Sequence, residues 1–561
     1  MKYAVWFWQQ MHSIKTKILI RIMAGLAQVG LGLLLVWLCR RFIDVVIWRG
    51  NILKESLLLF GVIALLIGLR QLVFYLSSMT EVEQQNTMRQ HFFGKVLRRR
   101  LYSSDQTLHS GDISQRLEKD ISSAASVTTS ILPGMVVTAV QLVGAFLLMH
   151  SIDAVLAWSI LVLTPVVVVC AKYLGSRLKK MTLAIREEES RIQMLIQETA
   201  EHQLTIKTLQ SEDIIGGRMS HLQQSLQKLV ARRVRFTLIS RLLIAFTFSY
   251  GYFGAFVYGA IQLKDGLITF GVMTAFLQLV SQIQSPIMTL LGMIPQLIHA
   301  TASVDRLTEI EQLEQEEQMN KEKSFGEKDK VQNSLEDFKF LEEKKSLREK
   351  KSMGVKLEDI SYQYPGADDV LSGFTHDFRP GSSTAILGAT GCGKTSLLRL
   401  IAHITQPTQG RIFLYDNQGN EVSGIAMRQH IIYIEQGNTM MSGSIRENLL
   451  LAKPDASEEE LKKALHTAVA DFVLELPDGI DTRIGEHATR LSGGQAQRLS
   501  IARGLLRQGS ILLLDEVSSS LDEQTESILF DRLFSAYPEK TVICVTHRPK
   551  AARHCEAQIK F

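Results

Sequence analysis

The stretch "GATGCGKT", Gly388 to Thr395, decides the fold of the second half of the chain. It fits the pattern GxxxxGK[ST], with a strand-like run, "STAILG", before it and a helix-like run, "SLLRLIA", after it. Glycines in such a loop let backbone N–H groups wrap phosphate groups, while the Lys394 ammonium reaches the β and γ oxygens and the Thr395 hydroxyl can ligate Mg²⁺. The order of strand, loop and helix predicts an α/β nucleotide-binding domain.

A second motif, "ILLLDE" at Ile511 to Glu516, supplies the acidic groups that such a loop requires. Its apolar run is typical of a buried parallel strand. Asp515 at the end of that strand would lie near the Mg²⁺, and Glu516 would polarise the water that attacks the γ-phosphate. An isolated "DE" pair more often caps a following helix, but a phosphate-binding loop in the same domain favours the catalytic interpretation.

Three single residues are weaker candidates for the same site. His547 ends the run "VICVTH", and its imidazole can hydrogen-bond a γ-phosphate or the attacking water. Gln436 follows "IIYIE", and its amide oxygen can bind Mg²⁺ or water. Tyr364, just before Pro365, offers a flat face on which adenine can stack. A lone residue of these types usually has a structural role, so none of the three decides the function by itself.

The segment "TRLSGGQAQRLS", Thr489 to Ser500, repeats the chemistry of a glycine-rich loop that runs into a helix. One nucleotide needs only one phosphate cradle, and the chain already has a better one at Gly388 to Thr395. The residues alone do not say which phosphate the second loop meets.

Six apolar stretches in the first half of the chain are long enough to cross a bilayer, which takes about 20 helical residues. In a soluble domain, runs of this length would leave no polar surface. They lie near residues 18–47, 57–76, 131–149, 152–171, 238–261 and 267–291. The first half is therefore predicted to be a membrane domain of six helices.

The distribution of Lys and Arg predicts how these spans are oriented, because basic residues are retained on the cytoplasmic side. The connection 77–130 holds seven and the connection 172–241 holds thirteen, whereas the connection between spans three and four holds none and that between spans five and six holds only Lys264. The N-terminus, both long connections and everything after the sixth span are therefore predicted to be cytoplasmic. Both long connections lack Pro, so the spans should continue into them as long helices.

The remaining composition argues against several classes of protein. The net charge of +5 over 561 residues is modest and lies near apolar segments, so nucleic-acid binding is not indicated. The five cysteines are scattered, with neither a CxxC pair nor metal-ligand spacing, and indicate no disulfide framework. Trp6, Phe7 and Trp8, beside Lys15 and Lys17, predict a short helix on the membrane surface rather than a signal peptide.

A charged segment separates the two halves. Residues 311–353 are rich in Lys and Glu and poor in apolar side chains, so they are predicted to form a solvated helix or a mobile tether. The predicted organisation is a transmembrane domain at 1–310, this linker at 311–353, and a nucleotide-binding domain at 354–561.

Together these features resemble the ATP-binding cassette (ABC) transporters, in the exporter-type half-transporter arrangement of one membrane domain followed by one nucleotide-binding domain. "LSGGQ", Leu491 to Gln495, is similar to the signature of that family. "SSLD", Ser519 to Asp522, resembles its D-loop, and Gly485-Glu486 resembles its X-loop. "SGDISQRLEKD" at Ser110 to Asp120, and parts of the sequence from Leu267 to Ile310, resemble its intracellular-loop and sixth-span sequences. The resemblance covers nearly the whole chain.

The resemblance implies an ATPase site with assigned roles. Catalysis falls to Glu516, with His547 as the switch histidine and Gln436 as the Q-loop glutamine. Mg²⁺ is bound by Thr395, Gln436 and Asp515. The implied ATP contacts are Tyr364, Gly388, Ala389, Thr390, Gly391, Cys392, Gly393, Lys394, Thr395 and Ser396, with Ser492, Gly493, Gly494 and Gln495 from a partner.

The resemblance also implies a use for the second loop. In the family, two nucleotide-binding domains stack head to tail, so that each ATP lies between the P-loop of one and the signature of the other. One complete set of half-sites in this chain favours a homodimer over a heterodimer. ATP binding would close the two nucleotide-binding domains and hydrolysis would let them open again. The resemblance implies that this cycle exports an unknown cargo across the cell (inner) membrane by alternating access.

Two segments are expected to couple this motion to the spans as short helices, near Ser103 to Ser110 and near Leu209 to Gly217. Two other functions stay open at this point. One is import through the same architecture, and the other is a membrane-anchored regulatory ATPase that moves no cargo.

Several residues have no assigned role in this scheme or depart from it. Glu435 stands where the family usually has a proline. Arg40, Arg41 and Arg70 lie at or within the first two spans, where they either line a cavity for anionic or amphipathic cargo or snorkel to the headgroups. Cys392 in the P-loop predicts that thiol alkylation inhibits the ATPase and that ATP protects against it. The sequence reaches Phe561 within a segment expected to be the strand before the family's C-terminal helical tail.

Overall fold

The computed structural model describes residues 2–11, 14–48, 51–101, 110–313, 315, 352–364, 368–437, 439–485 and 491–561. The predicted coupling segment at 103–110 except Ser110, most of the linker, and Glu486 lie outside the described residues. The chain forms two compact units, one within Met1–Gly94 and His109–Glu311 and the other within Lys95–Leu108 and Gln312–Phe561.

The first unit is helical. One of its helices, α4, consists of five successive segments, of which the second and fourth are π-helical. The helices are α1 Lys2–Met11, α2 Lys15–Ile47, α3 Ile52–Leu97, α4 (Ser110–Gln115, Arg116–Asp120, Ile121–Ser126, Val127–Ile131 and Leu132–Ile152), α5 Ala154–Glu201, α6 Gln203–Thr208, α7 Glu212–Lys264 and α8 Phe270–Gln312.

Each predicted span falls on one of these helices. The helices of the fourth and sixth spans, α5 and α8, begin two and three residues later than predicted. Capping residues account for both differences. Asp153 is extended and its carboxylate accepts the Leu156 N–H at 2.9 Å, while the Thr269 hydroxyl accepts the Val272 N–H at 3.3 Å.

Four of the helices, α2, α3, α4 from Gly111 and α8, are long and apolar enough to cross a membrane. The predicted fourth and fifth spans lie on α5 and α7, and the total of six spans stays a prediction. Helices α3, α5 and α7 have 46, 48 and 53 residues. These correspond to about 70 to 80 Å, against a hydrocarbon core of about 30 Å, so the prediction that spans continue as long helices is confirmed.

Ion pairs join α4 to the C-terminal part of α8. Arg306 Nε donates to Asp120 Oδ2 at 2.7 Å, and Arg116 Nη1 donates to Glu309 Oε2 at 2.6 Å. Arg116 and Asp120 are the first and last residues of a π-helical segment, and both are buried. A buried charge destabilises a fold unless it is paired, so these pairs favour a single register between the two helices.

The short helix α1 is confirmed as a separate element. Trp6 and Phe7 are buried, whereas Trp8 is 74% exposed. The Tyr3 hydroxyl donates to Asp305 Oδ2 of α8 at 2.8 Å, which ties α1 to the helical unit. Its position on a membrane surface stays a prediction.

Within the described residues, the second unit contains three sheets. Its strands are β1 Met353–Gln363, β2 Asp369–Phe378, β3 Ser383–Leu387, β4 Gln409–Asp416, β5 Glu421–Ser423, β6 Ile431–Ile434, β7 Gly443–Ser444, β8 Arg483–Ile484, β9 Ile511–Asp515, β10 Thr541–Val545 and β11 Ala557–Lys560. The order β11-β3-β10-β9-β6 forms an all-parallel sheet, β2-β1-β4-β5 forms an antiparallel sheet, and β7 and β8 form a short antiparallel pair. The predicted strands at "ILLLDE" and "VICVTH" are confirmed as β9 and β10.

Helices cover both faces of the parallel sheet. They are α9 Lys394–Ile401, α10 Ile445–Leu450, α11 Glu458–Thr467, α12 Gly493–Leu506, α13 Glu523–Ala536 and α14 Pro549–Ala552, with 3₁₀ turns at Gly424–Gln429, Asp471–Glu475 and Gly479–Asp481. Along β9, Ile511 and Leu513 belong to one hydrophobic cluster, and Leu512 and Leu514 to another. Alternate side chains thus point to opposite faces, and both faces are buried, which explains the uninterrupted apolar sequence.

Candidate nucleotide site

The parallel sheet brings the predicted motifs to one edge. In a parallel sheet the carboxyl ends of all strands meet at the same edge, where α/β proteins bind ligands. Strand β3 leads into the P-loop, β10 into His547, β9 into Asp515 and Glu516, and β6 into Gln436. The order β3-β10-β9-β6 therefore places motifs from four separate parts of the sequence side by side.

The P-loop has the backbone that its glycines predict. Gly391 and Gly393 have φ of +85° and +99°, a region that favours glycine. A Cβ atom on Gly393 would lie 2.9 Å from Val370 Cγ1, so space as well as conformation requires glycine there. Lys394 is buried at the start of α9, and its ammonium donates to the carbonyls of Gly388 and Ala389 at 2.9 and 2.7 Å. The loop thus holds a cation at its centre, where phosphate binding requires one.

Asp515 is fully buried and both of its carboxylate oxygens accept hydrogen bonds. The Thr395 hydroxyl donates to Oδ1 and the Tyr433 hydroxyl donates to Oδ2, each at 3.1 Å. The pKa of Asp515 is raised above its ordinary value, because the effect of burial exceeds the opposing effect of the hydrogen bonds from Thr395 and Tyr433. Burial also raises the pKa of Tyr433, so its phenol stays protonated and acts as the donor.

This donor set suits Mg²⁺. In the described part of the chain no three His, Cys, Asp or Glu side chains cluster as a metal cage. Mg²⁺ usually takes one or two carboxylates together with substrate phosphates and water rather than an all-protein cage. One carboxylate beside one hydroxyl, from Asp515 and Thr395, fits that requirement.

Two of the predicted catalytic side chains contact the carboxylate of the third, Glu516. Gln436 Nε2 donates to Glu516 Oε2 at 2.7 Å, and His547 Nε2 lies 2.7 Å from Glu516 Oε1. Glu516 has φ of +47°, an unfavourable conformation for a residue with a side chain. Its N–H donates to Val545 and its carbonyl accepts from Gln497 Nε2, at 3.0 and 3.1 Å. These contacts hold the strained backbone that turns Glu516 toward His547 and Gln436.

Tyr364 lies beside the P-loop helix, as its predicted role requires. Its hydroxyl is 3.0 Å from Ser396 Oγ, and its ring packs edge-on against Tyr362 with centroids 4.9 Å apart. Contact with adenine itself stays a prediction.

Two family models match the sequence. Residues 18–287 match the ABC transporter transmembrane region, and residues 371–519 match the ABC transporter domain. The chain belongs to the ABC transporter family. It binds ATP and couples ATP hydrolysis to transport across a membrane, and the predicted α-helical transmembrane domain followed by an ABC-type α/β domain is confirmed.

Several known proteins resemble this transporter over most of their length. It is 26% identical over 472 residues to the ATP-dependent lipid A-core flippase of Chromobacterium violaceum, covering 82% of this chain and 75% of the relative. It is 24% identical over 575 residues to the multidrug export ATP-binding/permease protein YgaD of Bacillus subtilis, covering 98% and 93%. The solved structure of a bacterial Atm1-family ABC exporter with ATP bound shares its fold, with a TM-score of 0.78 and 16% identity over 98% of this chain and 93% of that one.

A further relative matches over a shorter range. The mycobactin import ATP-binding/permease protein IrtB of Mycobacterium tuberculosis is 36% identical over 204 residues. That match covers 36% of the transporter and 35% of the relative.

The signature of the transporter opens α12. The Ser492 hydroxyl accepts the Gln495 N–H at 3.2 Å, and Gln495 Oε1 accepts the Ser492 N–H at 2.9 Å, which is a capping box. A Cβ atom on Gly494 would lie 2.9 Å from the Ser520 carbonyl, so glycine permits close packing against the D-loop. Gln497 Oε1 also accepts the Ser520 N–H at 3.3 Å. The signature and the D-loop are therefore one packed structure within the chain.

Reasoning from the sequence missed three contributors to this site of the transporter. Tyr433 contacts Asp515, Gln497 contacts Glu516, and Arg399 of α9 pairs with Glu435 at 3.6 Å. Tyr433 was detectable in principle, because it lies on the strand that ends before Gln436. The other two contacts depend on how α9 and α12 pack, which no local pattern reveals.

Proposed function

We propose that the transporter is an exporter that acts as a dimer of two identical chains. It lies in the cell (inner) membrane, with its nucleotide-binding domain in the cytoplasm. Each ATP lies between the P-loop of one copy and residues Ser492, Gly493, Gly494 and Gln495 of the other.

The position of the Glu516 carboxylate is the main observation that supports the proposed mechanism of ATP hydrolysis. It is held between Gln436 and His547, one residue after the Asp515 that contacts Thr395 of the P-loop. A carboxylate fixed in this way can accept a proton from the water that attacks the γ-phosphate. His547 then hydrogen-bonds the γ-phosphate, and Gln436 orients the water.

The P-loop side of the site binds the nucleotide. The backbone N–H groups of residues 388–396 surround the phosphates, Lys394 neutralises their charge, and the Tyr364 ring stacks on adenine. Mg²⁺, when bound, would neutralise charge on the phosphate oxygens. Thr395, Asp515 and Gln436 are the residues that would hold it.

Dimerisation explains why one chain carries two loops for phosphate. The N-terminus of α12 has a positive partial charge, and its cap residue Ser492 is exposed. ATP bridging two copies interacts with both only when they are closed, so its binding shifts the dimer toward closure and hydrolysis removes that bias.

Export is favoured over import by the extent of the resemblances. The relatives named as a flippase and a multidrug exporter match both halves of the transporter, over 82% and 98% of its length. The relative named as an importer matches over 36% of it. A regulatory ATPase that moves no cargo needs only a membrane anchor, not the whole ABC transporter transmembrane region that residues 18–287 match.

Disulfide crosslinking tests the dimer. Cys392 lies in the P-loop and is partly accessible, so a Ser492→Cys variant places a second thiol in the signature. In a Glu516→Gln background, oxidation with ATP present should give a dimer band on a non-reducing gel. ATP should be required, because it draws the two copies together.

Two control variants make this crosslink specific. Ser457→Cys replaces the cap of α11, which has the same capping box and is also exposed, and it should give no band. Adding Cys392→Ala to Ser492→Cys should abolish the band. A band that survives Cys392→Ala, or that never forms with ATP, rejects the proposed arrangement.

Proteoliposomes test the direction of transport. With the nucleotide-binding domain outside, externally added ATP should move a fluorescent phospholipid from the outer to the inner leaflet, where dithionite cannot quench it. An amphipathic dye serves as a second probe and should accumulate in the lumen. ATP-driven loss of either probe from the inside indicates import, and hydrolysis without movement of either one indicates a regulatory ATPase.

A further inference from the structure

We propose that Tyr433 is a positioning residue for Mg²⁺, whose phenol holds one oxygen of Asp515 so that the other oxygen faces Thr395. This inference rests on the proposed placement of Mg²⁺ at Thr395 and Asp515. It adds a residue that lies outside the P-loop, the signature and the acidic motif.

The geometry of Asp515 is the basis for the inference. Thr395 occupies Oδ1 and Tyr433 occupies Oδ2, each at 3.1 Å, and no part of the aspartate is exposed to solvent. The terminal torsion of an aspartate is broad and twofold, so the side chain alone does not fix the plane of its carboxylate. A donor on Oδ2 fixes that plane and leaves Oδ1 directed at the P-loop hydroxyl.

Tyr433 is itself held by the sheet. It lies on β6, which pairs in parallel with β9, and its register partner on β9 is Leu513. Its ring packs against the hydrophobic cluster that contains Ile431, Ile511 and Leu513. The hydroxyl therefore reaches Asp515, two residues further along β9, from a rigid strand.

The arrangement predicts a specific defect when the hydroxyl is removed. Without it, a buried carboxylate oxygen loses its donor and the carboxylate can rotate or recruit another partner. Residues that orient a metal ligand typically contribute about 10- to 100-fold to metal affinity. Tyr433→Phe should therefore weaken Mg²⁺ binding while it leaves metal-free nucleotide binding intact.

The test uses the full-length transporter in nanodiscs with Glu516→Gln, which prevents hydrolysis during the measurement. Binding of labelled ATP is measured in EDTA and over a range of free Mg²⁺. Tyr433→Phe should raise the half-saturating Mg²⁺ concentration about tenfold. Binding in EDTA should change less than about twofold, because the P-loop and the aromatic face are untouched. Electron paramagnetic resonance of Mn²⁺ bound with ATP gives the same comparison without any titration of nucleotide.

Two variants make the result decisive. Tyr415→Phe removes another tyrosine hydroxyl that donates to a carboxylate, that of Asp377 at 2.6 Å, and should leave the Mg²⁺ requirement unchanged. Asp515→Asn should abolish the dependence on Mg²⁺.

The possible outcomes separate the two proposals. If Tyr433→Phe titrates like the parent while Asp515→Asn does not, Tyr433 has only a structural role and the inference is wrong. If both variants titrate like the parent, the placement of Mg²⁺ itself is wrong. A Tyr433→Phe protein that also binds ATP poorly in EDTA, with a lowered Tm that Tyr415→Phe does not show, likewise overturns the positioning role.

Discussion

The P-loop and the signature are both glycine-rich loops that open a helix, yet their structures differ. In the P-loop, Gly391 and Gly393 have positive φ, and the buried ammonium of Lys394 lies over the loop carbonyls. In the signature, the glycines already belong to the first turn of α12, and the exposed Ser492 caps that helix. The P-loop surrounds a site within its own chain, whereas the signature exposes the N-terminus of α12 on the surface of the domain.

This difference shows that glycine has two separate uses in the same domain. Gly393 permits a left-handed backbone, while Gly494 permits contact with the Ser520 carbonyl. The lysine is found in one loop and not in the other. Variants of the two loops should therefore separate ATP binding from ATP hydrolysis.

The largest effect is expected at the carboxylate beside the P-loop. Glu516→Gln should lower kcat for ATP hydrolysis by about 10³-fold, because it removes the proton acceptor, and should leave ATP binding intact. Phosphate release and equilibrium ATP binding measure the two properties. Glu421→Gln, on exposed β5, is a matched change that should have no effect. Comparable activity in both variants would rule out Glu516 as the general base.

The next largest effect is expected at the P-loop glycine Gly393, whose replacement should weaken ATP binding. Gly393→Ala introduces a Cβ at φ +99° and 2.9 Å from Val370, a strain of about 1–3 kcal/mol. It should weaken ATP binding about 10- to 100-fold, as measured by equilibrium binding. Gly424→Ala provides the control, since its φ is +70° but no atom lies near the added Cβ. Normal ATP affinity in Gly393→Ala would contradict the proposed cradle.

A smaller effect is expected in the signature, where a glycine variant should impair ATP hydrolysis rather than ATP binding. Gly494→Ala places a Cβ 2.9 Å from the Ser520 carbonyl and should shift the start of α12. We expect ATP binding to one chain to be unchanged and hydrolysis to fall about tenfold, because only the closed dimer uses this loop. Equal loss of binding and hydrolysis would mean that the signature contacts nucleotide within its own chain.

The smallest effect is expected at Glu435. Its ion pair with Arg399 spans 3.6 Å and is partly exposed, and such pairs contribute about 0–1 kcal/mol. Glu435→Gln should change kcat less than about threefold, and the difference should vanish at high salt. ATPase assays across a salt series measure this. A large loss that salt does not affect would show that Glu435 has a role beyond this ion pair.

Much of the nucleotide domain was predictable from local patterns. Strands β9 and β10, the P-loop and the acidic pair follow from an apolar run, a glycine spacing and a helix start. The contacts of Tyr433, Gln497 and Arg399 were not predictable, because they depend on the order of strands and on helix packing. In the membrane half, hydropathy located the helices, while the caps Asp153 and Thr269 set where two of them begin.

The sequence by itself determined which residues can do chemistry, since residue type and short spacing set the donors, acceptors and backbone freedom of each motif. Only the tertiary structure decided which of them meet. Asp515 lies 120 residues after Thr395, and Glu516 lies 80 residues after Gln436. Parallel pairing of β3, β10, β9 and β6 closes those separations. The positive φ of Glu516, which no local pattern predicts, turns its carboxylate toward its two partners.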